Sequence, residues 1–174
     1  MITKFENYNG FDAYEDNSIW KKALNDENYD TIKYMIENGF DVNKKLNFND
    51  DSKNETGIMV SAYDQNYNIT KLLIDNGADL YAEDYNWNNV LMKAIFGYCE
   101  FGYDDDYDND DYDNDDVIKL ILDNTNNSIL TAQNKKGKTF MFYLNNTGKN
   151  MFKNDYPEKY KYIETHKKAK DFNL

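Results

Sequence analysis

The sequence predicts an all-α solenoid of stacked helix–turn–helix units joined by hairpin-like loops, and two observations carry this. The segment Ile32-Lys33-Tyr34-Met35-Ile36-Glu37-Asn38-Gly39-Phe40-Asp41-Val42 recurs as Thr70-Lys71-Leu72-Leu73-Ile74-Asp75-Asn76-Gly77-Ala78-Asp79-Leu80. Self-similarity at such a separation marks a helical repeat array. Within each copy the apolar residues follow helical spacing and the stretch closes on a glycine, the residue that ends a helix in a left-handed conformation without a Cβ penalty.

The elements follow in chain order. Residues 1–17 are too polar for a complete unit and are expected to form a partly ordered lead or a short N-terminal cap. The repeat domain then occupies 18–174, in units of about 18–50, 51–83, 84–133 and 134–174. In the first unit Ser18 is placed to cap a helix through Ile19, Trp20, Ala23 and Leu24. A second helix begins near Asp30, turns Ile32, Met35 and Ile36 to one side, and stops at Gly39. The second unit starts at Thr56, runs Ile58, Met59, Ser61 and Ala62, then Ile69, Leu72, Leu73 and Ile74 before Gly77.

The third unit starts at Asn89, with Val90, Leu91 and Ala94 on its inner helix. Its outer helix, Val117 to Leu122, is postponed by an acidic insertion over roughly 98–116. Thr125 replaces the glycine stop, and Asn126 or Asn127, which tolerate positive φ, is expected to end this helix. The fourth unit opens at Gly137-Lys138-Thr139-Phe140-Met141, uses Met141 and Leu144 on its inner helix, and starts its last helix at Pro157, with Tyr160 and Ile163 inward. It reads as a degenerate C-terminal cap. Such units bury their apolar faces only against one another.

Composition narrows the function classes. Twenty lysines, no arginine and 32 carboxylates give a net charge of −12, which argues against a nucleic-acid ligand because phosphate binding needs a cationic surface. A basic partner, or solubility alone, fits that charge better. Cys99 is the single cysteine, so no disulfide framework exists and a reducing, cytoplasmic setting is expected. No apolar run approaches the ~20 residues that span a bilayer, and the N-terminus lacks a secretory apolar core. A soluble monomer that does not engage membranes is expected.

These repeats resemble the ankyrin-repeat family. Its fingerprint is an aspartate turn, a glycine, a Thr-Pro-Leu-His start, a central alanine, and an aliphatic outer helix closing in Gly-Ala-Asp. Gly77-Ala78-Asp79-Leu80 matches the close fully and Gly39-Phe40-Asp41-Val42 nearly so; Ala23, Ser61 and Ala94 take the small inner-helix position, and Leu91 and Met141 the leucine position. Asp51, Asp84 and Asn134 stand five residues before Thr56, Asn89 and Thr139, where the family's hairpin turn expects them. No unit keeps Pro or His in the start motif, and Trp87 stands at the turn glycine of the third unit. The style of divergence is similar to ankyrin proteins of large DNA viruses and AT-rich bacteria or protists; a viral origin would place the protein in a host-cell cytoplasm.

The resemblance implies a concave recognition face built from hairpin tips and inner helices, and a protein partner. Its variable positions fall on Ser52, Lys53 and Glu55, on Tyr63 and Asp64, on Tyr85, Asn86 and Asn88, and on Lys135, Lys136 and Lys138. Tyr81, Tyr85 and Trp87 are candidate aromatic anchors of the kind that dominate interfaces. The alternative is that Trp87 packs back over its turn and Tyr81 covers the neighbouring hairpin.

The insertion, with its tandem Tyr-Asp-Asn-Asp-Asp, is read as a solvated loop or as a contact for a basic partner. It fails as a calcium loop, since from Asp106 the glycine position holds Asp111 and the bidentate glutamate position Val117. His166 and Cys99 lack the neighbours that base or nucleophilic catalysis requires. No phosphate loop, zinc ligand set or serine elbow occurs, so neither an enzyme nor a cofactor is expected. The leading expectation is a non-catalytic protein-interaction module. The alternative is an acidic inhibitor or immunity protein that neutralises a basic partner such as a nuclease toxin.

Overall fold

The computed structural model describes residues 13–48, 53–101 and 116–171. Its helices are α1 (Ala13–Asn25), α2 (Tyr29–Glu37), α3 (Gly57–Tyr63), α4 (Tyr67–Asp75), α5 (Val90–Phe101), α6 (Asp116–Asp123), α7 (Asn146–Asp155) and α8 (Pro157–Asp171), with 3₁₀ turns at Asn127–Leu130 and Phe140–Phe142. Among the described residues the only β-type pairing is an isolated bridge between Leu46 and Glu55. The fold is an all-α repeat solenoid. Helices pair as α1 with α2, α3 with α4 and α5 with α6. The inner row α1–α3–α5 and the outer row α2–α4–α6 each stack on their neighbours.

Local sequence sets each joint. Asn28 and Asn66 cap α2 and α4 by accepting from the backbone N–H of Thr31 and Ile69, both at 3.0 Å, and so satisfy donors that a helix start leaves orphaned. Just before each cap the chain turns through a left-handed residue, Glu27 at φ +52° and Gln65 at φ +56°. At the other end Gly39 (φ +91°) and Gly77 (φ +83°) stop the outer helices. Gly39 N–H donates to Ile36 and Phe40 N–H to Met35, while Gly77 and Ala78 donate likewise to Ile74 and Leu73, all at 3.0 Å. This is the Schellman closure, made twice from the repeated Asn-Gly.

A continuous apolar seam runs through the units, with Trp20, Ile32, Ile58, Leu73, Leu91, Ile95, Ile118, Ile121, Phe140 and Phe152 all buried. Two glycines permit its closest approaches. A Cβ on Gly57 would stand 2.9 Å from the Trp20 ring, and one on Gly97 only 1.7 Å from the Tyr63 carbonyl oxygen. Beside that second contact the Gln65 side-chain amide donates to the carbonyls of Ala62 (2.7 Å) and Ala94 (2.8 Å), so α3 and α5 are joined by backbone as well as by apolar side chains.

Four expectations are corrected. Ser18 lies within α1 instead of capping it, because the helix begins at Ala13. Residues 98–101, assigned to the insertion, continue α5 to Phe101. Neither Asn126 nor Asn127 takes a positive φ; Asn126 caps the next 3₁₀ turn through Ser128 N–H at 2.8 Å, and Thr125 Oγ1 donates to the Ile121 carbonyl at 2.8 Å. In the fourth unit a short 3₁₀ turn replaces the inner helix, and α7 follows it with Asn145 as cap. Leu144 is buried, Met141 half-buried, and Tyr160 and Ile163 pack against the core as expected.

Candidate protein-binding face

The loops ahead of the third and fourth units fold into equivalent tips. The Asp84 side chain accepts from the N–H groups of Asn86 (2.7 Å) and Asn88 (2.9 Å). Asn134 does the same for Lys136 (3.0 Å) and Lys138 (3.1 Å). A short side-chain acceptor at this point satisfies tip donors that no helix or strand reaches. The left-handed corner falls on Asn54 (φ +62°), Trp87 (φ +63°) and Gly137 (φ +68°) in successive units. Backbone bonds join the tips in register: Tyr85 N–H to Lys53 O at 3.0 Å, and Lys135 N–H to Asn86 O at 2.9 Å.

Beneath the tips runs a buried polar network that the sequence did not disclose. Lys93 Nζ pairs with Glu55 and, at 3.2 Å, with Asp84 Oδ2. Asn88 Nδ2 donates to Asp84 Oδ2 at 3.0 Å, and Asn134 Nδ2 to Asn88 Oδ1 at 3.0 Å and to the Tyr143 hydroxyl at 2.7 Å. Glu55 and Asn88, expected on the recognition face, are 4% and 7% exposed. They are spent inside the molecule, because an unpaired charge there would be costly. The one available signal was Lys93, a lone cation in the otherwise apolar Val90-Leu91-Met92-Lys93-Ala94-Ile95.

Above the network two of the three expected anchors, Tyr85 and Trp87, are brought together. Tyr85 is 60% and Trp87 53% exposed. Lys135 Nζ lies 3.5 Å from the centroid of the Tyr85 ring and 5.9 Å from that of Trp87, a geometry in which ring quadrupole and cation attract. On the same tip Lys138 Nζ lies 3.9 Å over Phe142, itself 57% exposed. Lys53, Asn86 and Lys136 are exposed on the same tips. Ser52 and Asp51 lie outside the described residues.

The remaining candidates are placed elsewhere. Tyr81 hydroxyl accepts from the Asn126 N–H at 2.7 Å, so this ring ties the loop after α4 to the loop after α6. Asn43 makes the same kind of tie one unit earlier, to Gly77 O at 3.1 Å and from Asp79 N at 2.7 Å. Tyr63 and Asp64 end α3, at the opposite end of that helix from its hairpin. The Tyr63 hydroxyl donates to Glu100, and this carboxylate, with burial, pushes the phenol up to about 12. Burial first, then Glu27 and Glu55, pushes Asp64 up to about 6.

Among the described residues, nothing around Cys99 or His166 assembles reactive chemistry. Burial raises the Cys99 thiol above its ordinary value, away from the reactive thiolate, and Sγ lies 3.6 Å from the Tyr143 carbonyl. His166 is exposed, with Nδ1 3.0 Å from the Tyr162 carbonyl. Among the described residues no group of three or more His, Cys, Asp or Glu is placed to hold a metal ion, and no helix is long and apolar enough to cross a membrane.

Stacked two-helix units with laddered tips define a repeat solenoid of the interaction-scaffold type. The family model for ankyrin repeats, in three copies, matches residues 16–102, and the chain belongs to the ankyrin-repeat family. That family and fold are typically non-enzymatic protein-interaction modules. Matching solved structures number 230 chains. One is the crystal structure of the ankyrin repeat domain of Bcl-3, described as a unique member of the IkappaB protein family. It is 15% identical, with a TM-score of 0.55 over 74% of this chain and 47% of that one. The chain thus spans about half the length of that relative, and the likeness is one of fold. No curated protein matches.

Proposed function

We propose that this protein is a non-catalytic module that captures one protein partner on the hairpin tips of its second to fourth units. The observation that carries this reading is the exposed Tyr85–Trp87–Lys135 cluster, held on tips whose backbone is fixed by the ladder and by the network below. Large aromatics in water on a rigid support are the usual energetic centres of interfaces. Lys53, Asn86, Lys136 and Lys138 form the polar surround. Glu55 and Asn88 act beneath it as positioning residues, and Tyr63, Asp64 and Tyr81 act in packing. The reading as inhibitor of a basic partner draws no support from this face, whose described charges are lysines.

The double substitution Tyr85→Ala/Trp87→Ala tests it. Affinity capture from the native host, identified by mass spectrometry, is expected to lose the protein retained by the parent chain while thermal unfolding stays unchanged. Equal recovery of that protein by both chains would refute the placement of the face.

A further inference from the structure

We propose that the last unit carries a second binding site, a groove that takes an acidic peptide segment bearing an apolar side chain. The groove, about 580 Å³, lies between the fourth hairpin and α8, within the ~300–1,000 Å³ typical of ligand sites. Its deep wall is apolar: Leu130 is buried, and Met141 and Ile163 are half-buried. Lys138, Lys149 and Lys167 supply its positive charge, and Glu164 is the one carboxylate among the described lining residues. Phe142, 57% exposed and under the Lys138 ammonium, also lines the groove. Apolar and cationic lining together select a ligand that offers both an apolar side chain and negative charge.

The charge pattern of the whole chain argues for the same occupant. Residues 134–174 hold 10 of the 20 lysines and only 4 of the 32 carboxylates, so this unit is strongly positive although the chain as a whole is at −12. A short acidic segment is favoured over a long polyanion, because the rest of the chain holds the other 28 carboxylates and is strongly negative. A short acidic segment keeps within the positive end, and complementarity of this kind sets specificity and encounter rate. The open side of the groove leaves one edge of an extended peptide in water. The two sites share Lys138, but Lys149 and Lys167 belong to the groove alone and Tyr85 and Trp87 to the tips alone, so variants at these pairs test the two readings separately.

The test uses the full chain and a fluorescein-labelled octapeptide of alternating Glu and Leu, read by fluorescence anisotropy. Expected are saturable binding, a loss of at least tenfold in affinity from Lys149→Glu/Lys167→Glu, a marked loss on raising salt, and no change from Tyr85→Ala/Trp87→Ala. Phe142→Ser is expected to weaken binding in parallel, with circular dichroism confirming that each variant is folded. Several results would overturn the proposal. These are equal affinity for Gln–Leu or Lys–Leu octapeptides, equal affinity for poly-aspartate or oligo-dT, indifference to the charge reversal, or NMR shifts confined to residues 85–88.

Discussion

Trp87 holds a backbone conformation that side chains other than Gly, Asn and Asp seldom adopt. Its φ of +63° opposes Cβ to the neighbouring carbonyl at a cost of roughly 1–2 kcal/mol, and Asn54 and Gly137 occupy the equivalent corner without comparable conflict. Such strain persists where the surrounding structure over-determines it and is concentrated at functional positions. Trp87→Gly is therefore expected to raise stability by roughly 0.5–1 kcal/mol in denaturant unfolding, while partner capture falls. A loss of stability would mean that the indole, not the corner, is what the structure needs there.

Asp64 illustrates the opposite economy, a carboxyl held in a poor place. Its native value of about 6 lies above its ordinary 3.8, so between these values the folded chain binds the proton and the unfolded chain does not. Stability then falls as pH rises through about 4 to 6. Because the group is only half-buried, screening limits the effect to about 1 kcal/mol. Asp64→Asn is expected to raise the melting temperature above about pH 6.5, with the gain vanishing below about pH 3, where the carboxyl is protonated in both states. A gain independent of pH would exclude the titration as its cause.

At the scale of elements, the joints between helices matter more than the helices. Gly97 lets α5 lie directly on the Tyr63 carbonyl, so Gly97→Ala forces α3 and α5 apart and is expected to cost about 2–3 kcal/mol or more, seen as a lower denaturation midpoint. A neutral result would show that the two helices are not in contact there. The outer-helix stops were legible because Asn-Gly is repeated in sequence and has a local meaning. The starts were less so: Ser18 looked like a cap but is overridden by a helix that begins earlier. In the fourth unit the inner helix expected through Met141 and Leu144 is only a 3₁₀ turn, because Asn145 caps a new helix, α7, directly after Leu144. The buried fate of Glu55 and Asn88 depends on Lys93 and Asn134, partners distant along the chain, and no local pattern announces such a meeting. The place of the aromatic tips was legible, since the repeat itself sets Tyr85 and Trp87 in a turn, but the sequence left open whether Trp87 stands in water or packs back over that turn.

At the scale of the molecule, one seam serves all units, so damage to one is shared by its neighbours. Leu73, fully buried on α4, packs into that seam. Leu73→Ala is expected to cost ~2–5 kcal/mol in a single shifted transition rather than a separate early one. A loss below about half a kilocalorie would place Leu73 on the surface. The same seam holds the tips in register, through the inner helices that follow them, and so links the core to recognition.

The most direct measurement is amide hydrogen exchange of the full chain, alone and with its captured protein. Added protection is expected at residues 85–88 and 135–138, with α2, α4 and α6 unchanged. Protection confined to the outer helices, with the tips as in the free chain, would contradict the placement of the binding face.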